Sequence, residues 1–142
     1  MKRFLCLITV LLLLLSTMAG CRKEDPVQLS TVMIPKQILK ELIVGDVEGS
    51  LAPFRGDAIT PELKETMAQY AQLIDGREYL RTECLDFEVI GTRKEGICEE
   101  TTYHRITLMD ETILYAICIN YKDDNGDGLI SFELYTECPW EE

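Results

Sequence analysis

The apolar and polar positions change their period along the chain. Leu5 to Leu15 is an apolar run preceded by Lys2 and Arg3 and followed by the small residues Ser16 to Gly20. It is shorter than the ~20 residues of a membrane span and has the layout of a secretory signal covering 1–20. Arg22 to Ser30 is polar and contains Pro26, so 21–34 reads as a tether ahead of a single domain over 35–142. Helical spacing then begins. Over Pro35 to Val44 the side chains of Ile38, Leu39, Leu42 and Ile43 share one face, with Pro in the first turn and Gly45 as a stop. Asp46 to Asp57, with Gly49, Pro53 and Gly56, reads as loop. A second helix is marked by Thr60 as N-cap, Pro61 at the first helical position, Leu63, Met67, Tyr70 and Ile74 on one face, and Gly76 after it.

Beyond Gly76 the period falls to two. Leu85, Phe87 and Val89 alternate with acids, and Tyr103–Met109, Ile113–Tyr121 and Leu129–Thr136 are rich in Ile, Thr and Tyr, which makes four strands. A hairpin centred between Asn125 and Gly126 sets Tyr121 opposite Ile130, Ile119 opposite Phe132 and Ile117 opposite Leu134. A turn on Asp110-Glu111 continues that face with Ile113 opposite Leu108, Tyr115 opposite Ile106 and Ile117 opposite His104. The expected fold is α+β: two N-terminal helices packed on one face of a four-stranded antiparallel meander. At the level of fold alone this resembles the cystatin-like or NTF2-like plan of helix on curved sheet.

Charge and address narrow the partners. The chain has 14 Lys and Arg against 25 Asp and Glu; without Lys2 and Arg3 the balance is near −13. Such a field repels phosphates and disfavours nucleic acid, and about 120 residues allow one modest core. Met18-Ala19-Gly20-Cys21 resembles the lipobox of bacterial lipoproteins. The resemblance implies removal of the first 20 residues, diacylglycerol on the Cys21 thiol and a membrane partner reached through lipid. It places the domain in the cell envelope, outside the cytoplasm. Arg22 stands where an Asp would resemble an inner-membrane retention signal, which points to the outer membrane if the host has one. Cys84, Cys98, Cys118 and Cys138 then remain in a compartment that allows disulfides. Two bridges are expected, in any of three connectivities. Zinc held by these residues with His104 is the alternative, although no Cys-x-x-Cys pair is present.

Asp123-Asp124-Asn125-Gly126-Asp127-Gly128-Leu129-Ile130 resembles the start of an EF-hand calcium loop. The resemblance implies oxygen ligands from Asp123, Asn125, Asp127, the Leu129 carbonyl, Ser131 and Glu133, a bend at Gly128 and Ile130 anchored in the core. It departs at the twelfth position, which is Leu134, with Glu133 one residue early. Calcium would be held weakly, in the ~0.1–1 mM range of extracellular modules. The same Asp, Asn and Gly residues also suit a plain tight turn. Catalytic signals are thin. His104 is the single histidine and falls on the apolar face, no Gly-x-Ser-x-Gly elbow occurs, and Cys118 is expected on the opposite face from His104. The expected function is therefore non-enzymatic: a lipid-anchored domain binding a protein or small-molecule ligand. A calcium-dependent structural or adhesion module and a small hydrolase using His104 are the alternatives.

Overall fold

The structure, a computed structural model, describes residues 26–92 and 95–140, with side chains from 33 onward. The signal segment and Cys21 lie outside those residues. Among the described residues three α-helices, α1 (Pro26–Ile43), α2 (Val47–Ser50) and α3 (Pro61–Ile74), precede four strands, β1 (Tyr79–Thr92), β2 (Ile97–Leu108), β3 (Ile113–Asp123) and β4 (Gly126–Tyr135). The strands form one antiparallel sheet in the order β1-β2-β3-β4. The α+β class and the meander are as expected.

Local chemistry explains the helix ends. Gly45, at φ 77°, donates to the Leu42 carbonyl at 3.1 Å while Asp46 N–H reaches Glu41 at 2.9 Å, so two carbonyls that α1 would leave bare are satisfied. The Asp46 carboxylate then accepts from Gly49 N–H at 2.8 Å and starts α2, a helical turn inside the stretch expected to be loop. Thr60 Oγ1 accepts from Leu63 N–H at 3.2 Å, and α3 ends where Asp75 adopts φ 50° ahead of Gly76. The start of α1 differs from expectation: the helix begins at Pro26, within the expected tether, and Pro35 lies inside it. Pro35 sacrifices a backbone donor, but its ring is fully buried and adds apolar surface to the core.

The core joins Ile38, Leu39 and Leu42 of α1 and Met67 and Ile74 of α3 to Ile106, Leu108, Leu114, Ala116, Cys118, Leu129, Phe132 and Leu134 of the sheet. The expected inward face of β2 agrees with this, that of β4 agrees at Phe132 and Leu134 but not at Ile130, and that of β3 does not. The β3–β4 turn is Asp124-Asn125, with Asp123 paired to Gly126, one residue earlier than the expected centre. Asp123 Oδ1 fixes it there by accepting the backbone N–H groups of Asn125 (2.8 Å) and Gly126 (3.1 Å). The β2–β3 connection is likewise displaced: Leu108 N–H donates to the Thr112 carbonyl at 2.9 Å, and Glu111 takes φ 69° in the loop between them. Moving the β3–β4 turn alone keeps the faces, but the β2–β3 pairing slips by one residue and the register shift beside Ile119 adds one residue to β4, and each such slip turns every side chain over. Ile106 therefore faces Leu114, His104 faces Ala116 and Cys118 faces Phe132, while Ile113, Tyr115, Ile117, Ile119 and Tyr121 sit on the other face. A register shift beside Ile119 also makes Leu129, not Ile130, the residue that enters the core. On the outward face Trp140 packs edge-on against Tyr103 and Tyr115, with ring centroids 5.3 and 5.6 Å away.

This register predicts the order of two substitutions. Leu114→Ala should destabilise the fold by about 2–5 kcal/mol in urea titrations, because it opens a cavity in the core. Ile113→Ala, at a partly exposed position, should cost about 1 kcal/mol or less. The reverse order would restore the register expected from the sequence.

Candidate functional site

Three places carry the chemistry singled out by the sequence. The first is the Asp-rich turn. Its Asp123 carboxylate receives, besides the two turn amides, the Arg55 guanidinium at 3.1 Å. Arg55 also grips Asp57 with two donors, at 2.9 and 2.7 Å, and its guanidinium lies 5.5 Å from the centre of the Tyr121 ring. Its side chain is only 7% exposed. Burial pushes the Asp123 carboxyl up, but the Asn125 N–H and the Arg55 charge outweigh it and hold the group below the usual carboxylate range. The hydrogen bond from Arg55 lowers Asp57 in the same way.

Backbone contacts bring Arg55 to the turn. Phe54 makes a parallel bridge to Leu129, in which Arg55 N–H donates to the Leu129 carbonyl at 2.9 Å and Leu129 N–H donates to Pro53 at 3.0 Å. Gly128 permits this approach, because a Cβ there would lie 3.0 Å from Arg55 Cγ and 3.2 Å from the Pro53 oxygen. The six expected ligands are thus distributed among separate partners. Asp123 faces Arg55, and Asn125 contributes its N–H to the turn. Asp127 accepts from Asn120 Nδ2 at 3.0 Å, and the Leu129 carbonyl is taken by Arg55 N–H. Ser131 lies opposite Ile119, and Glu133 lies opposite Ile117 and accepts the Tyr135 hydroxyl. Among the described residues no group of three or more His, Cys, Asp or Glu side chains is placed to hold a metal ion. Arg55 and Asp57 went unmarked in the sequence, since a contact spanning 68 positions has no local signature.

The second place is His104. Its side chain has no exposure, Nε2 lies 2.8 Å from Thr102 Oγ1, and Nδ1 has no hydrogen-bond partner. Its neighbours across the ladder are Cys84 and, in place of the expected Ile117, Ala116. Burial lowers the imidazole to about 4, so it is neutral at pH 7. The observed register puts Cys118 on the same face as His104, two ladder pairs further along opposite Thr102. Burial pushes that thiol up. Histidine and thiol therefore share a wall of the core with no exposed surface between them. This removes the geometric support for the hydrolase alternative, which required an accessible His104.

The expected disulfides are not formed. For three of the four the register gives the reason. Cys84 and Cys118 lie two strands apart, about 10 Å, and Cys98 faces Gly91 and Lys122, about 20 Å along the ladder from Cys84 and about 13 Å from Cys118. A bridge needs Cα atoms within ~7 Å.

The third place is the edge strand β1, whose residues from Cys84 to Thr92 are all exposed. Leu85 is the extra residue at a register shift, and beyond it Phe87 is 56% and Ile90 66% exposed, with Val89 between them and Ile97 facing Thr92. The expected alternation is present, but among the described residues no helix covers its apolar side.

No protein-family model matches the chain, and neither does a curated protein or a solved structure. Among the described residues no helix is long and apolar enough to cross a membrane.

The histidine gives a pH prediction. Its ordinary value is 6.5 and its folded value about 4, so between those limits the unfolded chain binds the extra proton. Stability from this group is full above about pH 6.5 and falls, by on the order of 3 kcal/mol, as pH drops through that window. Melting temperature should therefore decline less steeply with acid in His104→Gln than in the unchanged protein. Parallel declines would mean that the imidazole is already hydrated.

Proposed function

We propose that the chain is an exported, non-enzymatic domain held to the cell envelope by lipid on Cys21, and that it binds a protein or small-molecule ligand along the open stretch of β1. In this reading the helices form a cover on one face of the sheet, and the uncovered stretch is the working surface. The observation that carries it is the contrast between two apolar regions. His104 and Cys118 are enclosed, while Phe87, Val89 and Ile90 stand in solvent on an edge strand. Phe87 and Val89 are neighbours on one face, and adjoining exposed apolar side chains of this kind mark interaction sites. The lipobox-like Met18-Ala19-Gly20-Cys21 supplies the address, and Arg22 favours the outer membrane in a host that has one.

Two arms of one experiment test this reading. Cys21→Ser should abolish partition into detergent, and retention of the variant would make the apolar segment itself the anchor. The double substitution Phe87→Ser, Val89→Ser should leave the melting temperature within a few degrees of the unchanged protein, because neither side chain serves the core. A large fall would make that stretch structural.

The spacing of Asp123, Asn125 and Asp127 supports a second reading, in which the turn holds calcium. Asp123 would then exchange the Arg55 guanidinium for the ion. Arg55→Met frees that carboxylate, so millimolar calcium should raise the melting temperature of this variant more than that of the unchanged protein. No rise in either leaves the sequence as a turn alone.

A further inference from the structure

Resting on the binding surface just described, we propose that the β1 edge from Asp86 to Thr92 receives an extended segment of a partner polypeptide with alternating basic and apolar side chains, which adds a strand to the sheet. Three features converge on this. First, β1 ends the sheet, so half of its N–H and C=O groups face outward with no neighbouring strand. Edge strands are commonly blunted by Lys, Pro or a bulge. In β1 the bulge stands at Leu85, and Asp86 to Thr92 contains no Lys, Arg or Pro.

Second, the two faces of this stretch differ in kind. Phe87 and Val89 point to one face; Asp86, Glu88 and Ile90 point to the other. Third, the acids on that second face have no basic residue across the ladder. Asp86 is opposite Tyr103, Glu88 opposite Thr101 and Ile90 opposite a further acid, Glu99. The nearest Arg on β2, Arg105, is committed to Glu83 at 2.6 and 2.9 Å. The burial and hydrogen bonding that an added strand brings would therefore come at the cost of crowding acids unless the strand itself carries positive charge. Lysine or arginine at alternate positions would meet Asp86 and Glu88, and the intervening apolar side chains would lie on Phe87 and Val89.

The same arithmetic disfavours a second copy of this chain. Antiparallel self-pairing centred on Phe87 sets Asp86 of each copy against Glu88 of the other, and pairing centred on Val89 makes the two Glu88 diagonal neighbours. Like charges across a ladder destabilise it.

The test uses the full-length protein and three short synthetic peptides: alternating lysine and valine, alternating glutamate and valine, and the lysine–valine peptide N-methylated at alternate amides. The lysine–valine peptide should bind, lose affinity with added salt, and slow amide hydrogen exchange within Asp86–Thr92. Glu88→Gln should weaken it severalfold, and Phe87→Lys with Val89→Lys should weaken it by at least roughly tenfold. Circular dichroism melting of both variants checks folding, and Glu88→Gln, at an exposed position, keeps the test open if the double variant unfolds. Equal binding of the glutamate peptide would overturn the charge argument. Equal binding of the methylated peptide would overturn strand addition. Edge-dependent self-association of the chain without peptide would assign the edge to a second copy. If no peptide binds while the Phe87, Val89 double serine variant keeps its melting temperature, the partner assignment falls and the binding surface stands. If that variant melts early, both fall.

Discussion

The architecture hangs on where the chain reverses at Asp123. One carboxylate oxygen accepts two consecutive backbone amides and a guanidinium, and this triple contact sets the β3–β4 register. From that turn, the register shift beside Ile119 and the β2–β3 pairing follow the burial of Leu114, Ala116 and Cys118 and the enclosure of His104. Pairing β3 and β4 without the register shift beside Ile119 would bring Tyr115, Ile117 and Ile119 inward, and no core built around Ala116 could accept their volume. Arg55 makes the arrangement reciprocal. Its backbone pairs with Leu129 on β4 and its side chain reaches the end of β3, so the loop before α3 and the hairpin hold one another.

How much of this could be read from the sequence depended on whether the deciding interaction was local. α3 was legible to the residue, because Thr60, Pro61 and Gly76 act within one turn of the ends they set. The order of strands was legible for the same reason. α1 was misread at its start, because a proline that normally opens a helix here lies within one and spends its ring on the core. β3 was misread because both of its faces are apolar. Its inward residues, Leu114, Ala116, Cys118 and Asn120, are on the whole smaller and more polar than the Ile and Tyr residues that face outward, so hydrophobicity pointed the wrong way. The small set faces the helices, where space is tight, and the large set is partly sheltered by Trp140.

The candidate site was less legible than the fold. The Asp-rich turn was conspicuous because acids at alternate positions satisfy two different demands, ion binding and chain reversal, and composition does not separate them. Its cationic neighbour lay far away in sequence. The cysteines were conspicuous as a set of four, yet pairing is decided by distance, and the ladder places Cys84, Cys98 and Cys118 too far apart to bridge.

The open end of β1 follows from a mismatch of lengths. Fourteen residues of strand extend for about 46 Å, whereas the fourteen residues of α3 extend for about 21 Å. A helical layer of comparable residue count cannot cover such a strand from end to end. The cover is fixed near Tyr79, where Lys36 of α1 lies 6.0 Å from the ring centre, so the deficit falls at the far end, beyond Cys84. A chain of this size could have shortened β1 to match its helices. Keeping the extra length, keeping Phe87, Val89 and Ile90 on it, and placing acids between them leaves the strand more than the core requires, and the surplus is what a partner strand would use.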